Sequence, residues 1–157
     1  MYFCASKIPN MRFLYQIGIQ AASTFLPLSA YISPKMKLFV EGRKQSFDLL
    51  KNNIQPNQKY IWVHVASLGE YEQGLPIMEA FKKEHPEYQI ILTFFSPSGF
   101  EIRKNNKIAD ITLYLPIDTK SNVQQFLDLV NPQMVFFIKY EFWPNYLNEL
   151  KKRNIPT

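Results

Sequence analysis

Residues 60–70 read Tyr60-Ile61-Trp62-Val63-His64-Val65-Ala66-Ser67-Leu68-Gly69-Glu70. An apolar run of strand length, broken only by His64 and closed by Ser-x-x-Glu, reads as a buried strand feeding the N-terminus of a helix. The Asn/Gln/Pro-rich stretch Asn52–Lys59 before it reads as a turn. The helix is expected over Glu70–His85, with Tyr71, Leu75, Met78 and Phe81 at helical steps; Gly74 and Pro76 weaken its first half.

The same alternation continues downstream. Gln89–Phe95 and Ile111–Leu115 read as strands, and Gly99–Asn106 as a short helix between them. Thr119–Val130 reads as an amphipathic helix through Val123, Phe126, Leu127 and Val130, with Asp118 or Thr119 as its N-cap. Gln133–Lys139 is a further strand, and Pro144–Arg153 a helix with Pro in its first turn. Short apolar strands alternating with amphipathic helices predict an α/β fold, a Rossmann-like parallel sheet flanked by helices. In such sheets ligands bind beyond the carboxyl ends of the strands. That rule selects the loops Ala66–Glu70, Ser96–Gly99 and Tyr140–Asn145. A fifth strand is expected to begin where the sequence stops, at Ile155-Pro156-Thr157, so the chain reads as truncated.

Upstream, Phe13–Pro34 contains no charged residue, although Gln16, Gln20, Ser23, Thr24 and Ser29 interrupt it and Pro27 ends or kinks any helix. Leu14, Ile17, Ala21, Phe25, Leu28 and Ile32 form one apolar stripe at three- and four-residue steps. A membrane-spanning helix would need a purer run, and Leu28-Ser29-Ala30 makes a poor signal-peptide cleavage site. A helix lying in the membrane interface satisfies the pattern best, with a spanning helix and a buried core helix as the alternatives. Lys7 and Arg12 precede the segment, whereas Lys35, Lys37, Arg43 and Lys44 follow it, which keeps the following domain cytoplasmic if the segment spans. Residues 1–40 are therefore read as a membrane-associating segment and 41–157 as the α/β domain.

Composition narrows the function classes. A length of 157 residues suits one domain with its own core. The net charge of +5 is scattered, with no basic stripe interleaved with aromatics, so nucleic acid is not expected as a partner. Cys4 is the sole cysteine, and His64 and His85 lack ligand spacing, so neither a disulfide nor a metal site is expected. There is no G-x-G-x-x-G after the first strand, no P-loop and no G-x-S-x-G elbow. No cofactor is expected.

The three loops carry the candidate chemistry. Ser67-Leu68-Gly69-Glu70 is a capping box, and it is also a carboxylate held beside free amides at a helix N-terminus. The spacing alone favours the cap, while the geometry also allows Glu70 to take a proton from a bound hydroxyl. Ser96-Pro97-Ser98-Gly99 offers two hydroxyls and a permissive glycine, either for a sugar hydroxyl or phosphate or as a plain cap. In Glu141-Phe142-Trp143-Pro144-Asn145 an acidic residue closes a hydrophobic strand ahead of two aromatics. That combination fits a carbohydrate site; alternatively Trp143 covers the sheet end and Glu141 pairs with a neighbour. His64 reads as a satisfied core histidine.

Five pieces in order resemble the 3-deoxy-D-manno-octulosonate (Kdo) transferase family: Gly42-Arg43-Lys44, Trp62 through Glu70, Thr93 through Gly99, Tyr114-Leu115-Pro116-Ile117-Asp118, and Tyr140 through Asn145. The resemblance implies the N-terminal, acceptor-binding half of a GT-B fold, whose C-terminal CMP-Kdo-binding domain is absent here. It implies metal-free, inverting transfer of Kdo from CMP-Kdo to a lipid A precursor at the cytoplasmic face of the bacterial inner membrane. Glu70 matches the general base and Glu141 a second functional acid. Ser67 and Gly69 are expected around the base, and Ser96, Ser98 and Gly99 along the cleft wall. Trp143 and Asn145 are expected at the substrate, and Arg43 and Lys44 on acceptor phosphates or, equally, on membrane headgroups. One departure is that Lys139-Tyr140-Glu141 stands where the family more often has Glu-Thr-Glu, which removes an acidic partner of Glu141. The isolated 157 residues are expected to be inactive. Two other readings stay open: a non-catalytic membrane-associated lipid-binding module, and a GT-B glycosyltransferase with another donor.

Overall fold

The computed structural model describes residues 8–157, with side chains from Met11 onward, so Cys4 and Lys7 lie outside the described residues. Helix α1 spans Ile8–Phe25 and gives way to a 3₁₀ segment, Leu26–Tyr31, where Pro27 interrupts the helical ladder. Helix α2 follows over Pro34–Asn53. Then come β1 Lys59–Val65, α3 Leu68–Glu84, β2 Tyr88–Phe94, α4 Pro97–Arg103, β3 Ile111–Tyr114, α5 Lys120–Val130, β4 Met134–Phe137 and α6 Pro144–Lys152.

The four strands form one parallel sheet in the order β3-β2-β1-β4. Both faces are covered, as the unbroken apolar runs require. Tyr60 and Trp62 pack with α2, α5 and α6 through Leu50, Phe126, Tyr146 and Leu150. Ile61, Val63 and Val65 pack on the other face with α3 through Tyr71 and Met78. The chain builds outward from β1 through β2 to β3, then crosses back to lay β4 on the opposite side of β1. Strand order therefore reverses between β1 and β4, the point at which sheets of this kind take ligands, beyond the carboxyl ends of the strands. The β4 edge also meets the last residues, since the Val135 amide donates to Pro156 O at 2.9 Å, although residues 155–157 form no strand.

Helix α2 was not anticipated, because its lysines read as a charged flank. The Ser33 side chain caps it by accepting from the Met36 amide at 3.2 Å, with Pro34 in the first turn. Val40, Arg43, Ser46 and Leu50 face inward at three- and four-residue steps. A division of the chain between residues 40 and 41 falls inside this helix. Gly42 lies on the Tyr114 ring so closely that a Cβ there would come within 2.2 Å of it. Tyr114 is fully buried, so Gly42→Ala is expected to cost about 1–3 kcal/mol through overpacking. A urea midpoint equal to that of the parent would contradict this packing.

Helix α1 faces the domain with its polar side. Tyr15 and Gln16 bond inward, whereas Leu14 (65 %), Ile17 (52 %), Phe25 (65 %) and Ile32 (79 %) are exposed. The apolar stripe read from the sequence is therefore the outer surface, which removes the buried-core-helix alternative. No described helix is long and apolar enough to cross a membrane.

Candidate active site

Glu70 and Glu141 follow the neighbouring strands β1 and β4, at the carboxyl ends where the strand order reverses. Glu70 follows β1 at the third position of α3, where its carboxylate Oε2 accepts from the Ala66 amide at 2.6 Å and the Ser67 amide at 2.9 Å. The Ser67 hydroxyl adds a longer contact at 3.3 Å. The capping box of the sequence is therefore formed, and its glutamate arm lies on the strand-to-helix turn. Glu70 Oε1 has no hydrogen-bond partner among the described residues, so one oxygen holds the turn and the other is free to meet a ligand. Gly69 is exposed, with open space where a Cβ would sit.

Glu141 follows β4. Its Oε2 accepts from the Trp143 indole at 3.0 Å and lies 3.3 Å from His64 Nε2. The missing acidic neighbour is thus replaced by an imidazole and an indole. Trp143 covers the sheet end, its ring 4.9 Å from that of Phe95, so both parts of the structural alternative for this loop are realised. Tyr140 and Phe142 on either side are exposed. Hydrogen bonding to His64 holds the Glu141 carboxyl below its ordinary value, against the opposing effect of burial.

The second loop is sewn to the first. The Ser96 amide donates to Ala66 O at 2.8 Å, and the Phe95 amide to Val65 O at 3.1 Å. The Ser96 hydroxyl caps α4 by accepting from the Ser98 amide at 3.3 Å, and it lies 2.9 Å from the Ser98 hydroxyl. A Cβ on Gly99 would come within 2.8 Å of the Leu68 amide nitrogen. Gly99 is therefore what lets α4 approach the turn that carries Glu70.

Arg43 and Lys44 part company. Lys44 is exposed, whereas Arg43 is 7 % exposed, its guanidinium donating to Phe39 O at 3.1 Å and Phe95 O at 2.7 Å. Its Cζ lies 3.6 Å from the Phe39 ring centroid. Burial pulls its pKa down to about 9, so it remains charged at neutral pH. In this geometry Arg43 ties α2 to the end of β2 and is not presented to headgroups; Lys44 alone offers a surface charge.

Asn145 is occupied as well. Its Nδ2 donates to Asp118 O at 2.5 Å, and its Oδ1 accepts from Gln16 at 2.5 Å. Of the two N-caps read for α5, Asp118 or Thr119, it is Thr119 that caps the helix. Asp118 caps α6 from a distance instead, accepting from the Asn145 and Tyr146 amides at 3.0 Å each and from Tyr15 Oη at 2.5 Å. Its position in the Leu-Pro-Ile-Asp piece was the only sequence signal for this role.

His64 is buried and bonded, as read, but it is joined to Glu141. Desolvation is the main cause that lowers its pKa below 6.5. An unfolded chain takes up that proton more readily than the folded one. Stability therefore rises with pH here and falls as pH drops below the unfolded value, by up to about 1.4 kcal/mol per pH unit. Glu141, with its depressed pKa, acts in the same direction lower down, whereas Asp118, raised by burial, opposes it in the carboxyl range. Urea midpoints compared at about pH 7 and about pH 5.5 should fall on acidification; equal midpoints would contradict a neutral buried His64. Among the described residues no group of three or more His, Cys, Asp or Glu is gathered to hold a metal ion.

Residues 41–157 match the family described as 3-deoxy-D-manno-octulosonic-acid transferase (kdotransferase). The chain is 29 % identical over 134 residues to the 3-deoxy-D-manno-octulosonic acid transferase of Haemophilus influenzae, covering 84 % of this chain and 30 % of that protein. It is 34 % identical over 98 residues to the enzyme of that name from Aquifex aeolicus, covering 62 % of this chain and 27 % of the relative. The Rickettsia bellii protein of that name is 35 % identical over 112 residues, covering 70 % and 26 % respectively. The chain thus spans less than a third of the length of these relatives. With a matched region that takes in β1–β4 and both glutamates, the chain belongs to the Kdo transferase family.

Proposed function

We propose that this chain forms the acceptor-side half of a GT-B glycosyltransferase that moves Kdo from CMP-Kdo to a lipid A precursor, lipid IVA, in lipopolysaccharide biosynthesis. The observation that carries this reading is the placement of Glu70 and Glu141 just past the carboxyl ends of the adjacent parallel strands β1 and β4, each with one carboxylate oxygen unbonded among the described residues. In the reaction a glucosamine 6-hydroxyl attacks the anomeric carbon of Kdo with inversion. The new C–O bond forms as the bond to CMP breaks, CMP leaves with the electron pair, and the hydroxyl proton passes to Glu70. We assign the CMP moiety to the part of the relatives that this chain does not match, so the isolated 157 residues are expected to be inactive.

The exposed apolar face of α1 and the 3₁₀ segment supports residence on a membrane surface, here the cytoplasmic face of the inner membrane. The test is Kdo transfer to lipid IVA in phospholipid vesicles, by this chain joined to the C-terminal remainder of a relative. A double variant, Ile17→Glu with Phe25→Glu, alters only exposed positions. It is expected to raise the vesicle-acceptor KM by about tenfold with kcat little changed. An unchanged KM would remove the membrane from the reading. The second reading, a lipid-binding module without catalysis, is favoured by the formed capping box at Glu70; vesicle affinity without any transfer would support it.

A further inference from the structure

Behind Glu141 lies a continuous buried chain of hydrogen bonds that the proposed reaction does not itself use. Trp62 Nε1 lies 2.7 Å from Thr93 Oγ1, and Thr93 Oγ1 lies 2.8 Å from His64 Nδ1. His64 Nε2 lies 3.3 Å from Glu141 Oε2, which also accepts from Trp143 Nε1. Trp62, His64 and Thr93 are all fully buried.

Donor counting orders the chain. An indole N–H can only donate, so Thr93 Oγ1 accepts from Trp62. The single Thr93 hydroxyl proton then has two acceptors, Val63 O at 3.5 Å and His64 Nδ1 at 2.8 Å, and the ring is much the closer. An Nδ1 that accepts leaves the proton of a neutral imidazole on Nε2, aimed at Glu141. The other tautomer would donate from Nδ1 to Thr93 Oγ1 at 2.8 Å or Thr93 O at 3.2 Å, turn the Thr93 hydroxyl to the distant Val63 O at 3.5 Å, and take the Trp143 proton at Nε2. It would also set an imidazole lone pair against a carboxylate oxygen at 3.3 Å with no proton between them, whereas the Nε2–H form gives that oxygen two donors.

We infer that His64 is a positioning residue for Glu141: held as the neutral Nε2–H tautomer by Trp62 and Thr93, it fixes Oε2 and leaves Oε1 directed to a sugar hydroxyl of the substrate. Glu141 Oε1 has no partner among the described residues, and the side chain is 16 % exposed, which leaves it open to a ligand from solvent. The inference rests on the reading of Glu141 as a substrate-facing acid, and it gives the buried histidine a purpose that core packing would not require. His64 acts only through Glu141 and touches no substrate.

The test uses the 157-residue chain labelled with ¹⁵N and ¹³C. Long-range proton–nitrogen spectra of His64 should show an unprotonated Nδ1 and a protonated Nε2. In Thr93→Val the ring should move toward the Nδ1–H form, and the Glu141 carboxyl midpoint, followed by ¹³C shift, should rise. An Nδ1–H ring in the parent overturns the inference, and this spectrum decides even if Thr93→Val fails to fold. An unmoved Glu141 midpoint in a folded Thr93→Val overturns it as well. Transfer assays on the joined protein separate the two layers. A Glu141→Gln defect beside an Nδ1–H ring would leave Glu141 at the substrate and remove His64 as its positioner. Full transfer by Glu141→Gln beside the expected spectrum would overturn the use of Glu141 in the reaction.

Discussion

Asp118→Ala is expected to lower the unfolding free energy by about 3–5 kcal/mol, a large part of the roughly 5–15 kcal/mol that holds a domain of this size together. The carboxylate takes three donors: the Asn145 and Tyr146 amides and the Tyr15 hydroxyl. The two amides open α6 and are buried. Without Asp118 they lose their cap, worth about 0.5–2 kcal/mol, and each buried donor left unpaired costs about 1–3 kcal/mol more. Burial already presses against this charge, raising the Asp118 pKa despite three hydrogen bonds, so the net value of the site is less than the sum of its bonds. Asp118→Asn keeps one acceptor oxygen and should cost less, about 1–2 kcal/mol. Urea denaturation of the two variants measures both values. A loss below about 1 kcal/mol for Asp118→Ala would mean that water replaces the carboxylate and that α1 is not anchored through this residue.

The strands were legible because each is a short apolar run bounded by turn residues, a pattern that survives without any knowledge of its partners. Tyr60–Val65 and Gln89–Phe95 come within a residue of the observed strands. Helix α2 was not legible, because Lys35, Lys37 and Lys44 dominate its surface while the inward stripe of Val40, Arg43, Ser46 and Leu50 is mixed in character. The Ser33-Pro34 pair was the signal available. Neighbouring helix positions point about 100° apart, so Arg43 goes into the core and Lys44 to solvent, which a reading of the pair as one cationic patch could not register. The stripe on α1 was legible, but the side that faces the domain was not. That choice depends on Asp118 and Asn145, more than a hundred residues away in the sequence. For the same reason the candidate site was only half visible. The loops could be named, but the placement of β4 beside β1, which brings the Glu141 loop next to the one that carries Glu70, is a matter of strand order.

Glu70→Gln should separate the two roles that the sequence left superimposed. Glutamine serves the capping box as well as glutamate does, since its side-chain oxygen still accepts from the Ala66 and Ser67 amides. The fold should therefore hold, with stability within about 0.5 kcal/mol of the parent. A glutamine cannot take a proton. Loss of a positioned general base costs about 10²–10⁴-fold, so kcat should fall by that factor with the acceptor KM little changed. Glu141→Gln keeps the acceptor for the Trp143 indole and is expected to leave the turn at Glu70 untouched.

The most direct test is the single-turnover rate of Kdo transfer from CMP-Kdo to lipid IVA. It is measured for this chain joined to the C-terminal remainder of a relative, once in the parent form and once as Glu70→Gln. Transfer by the parent and a drop of at least about 10²-fold in Glu70→Gln, at equal thermal stability, is the expected result. Equal rates in the two proteins would reduce Glu70 to a helix cap and contradict its assignment as the base.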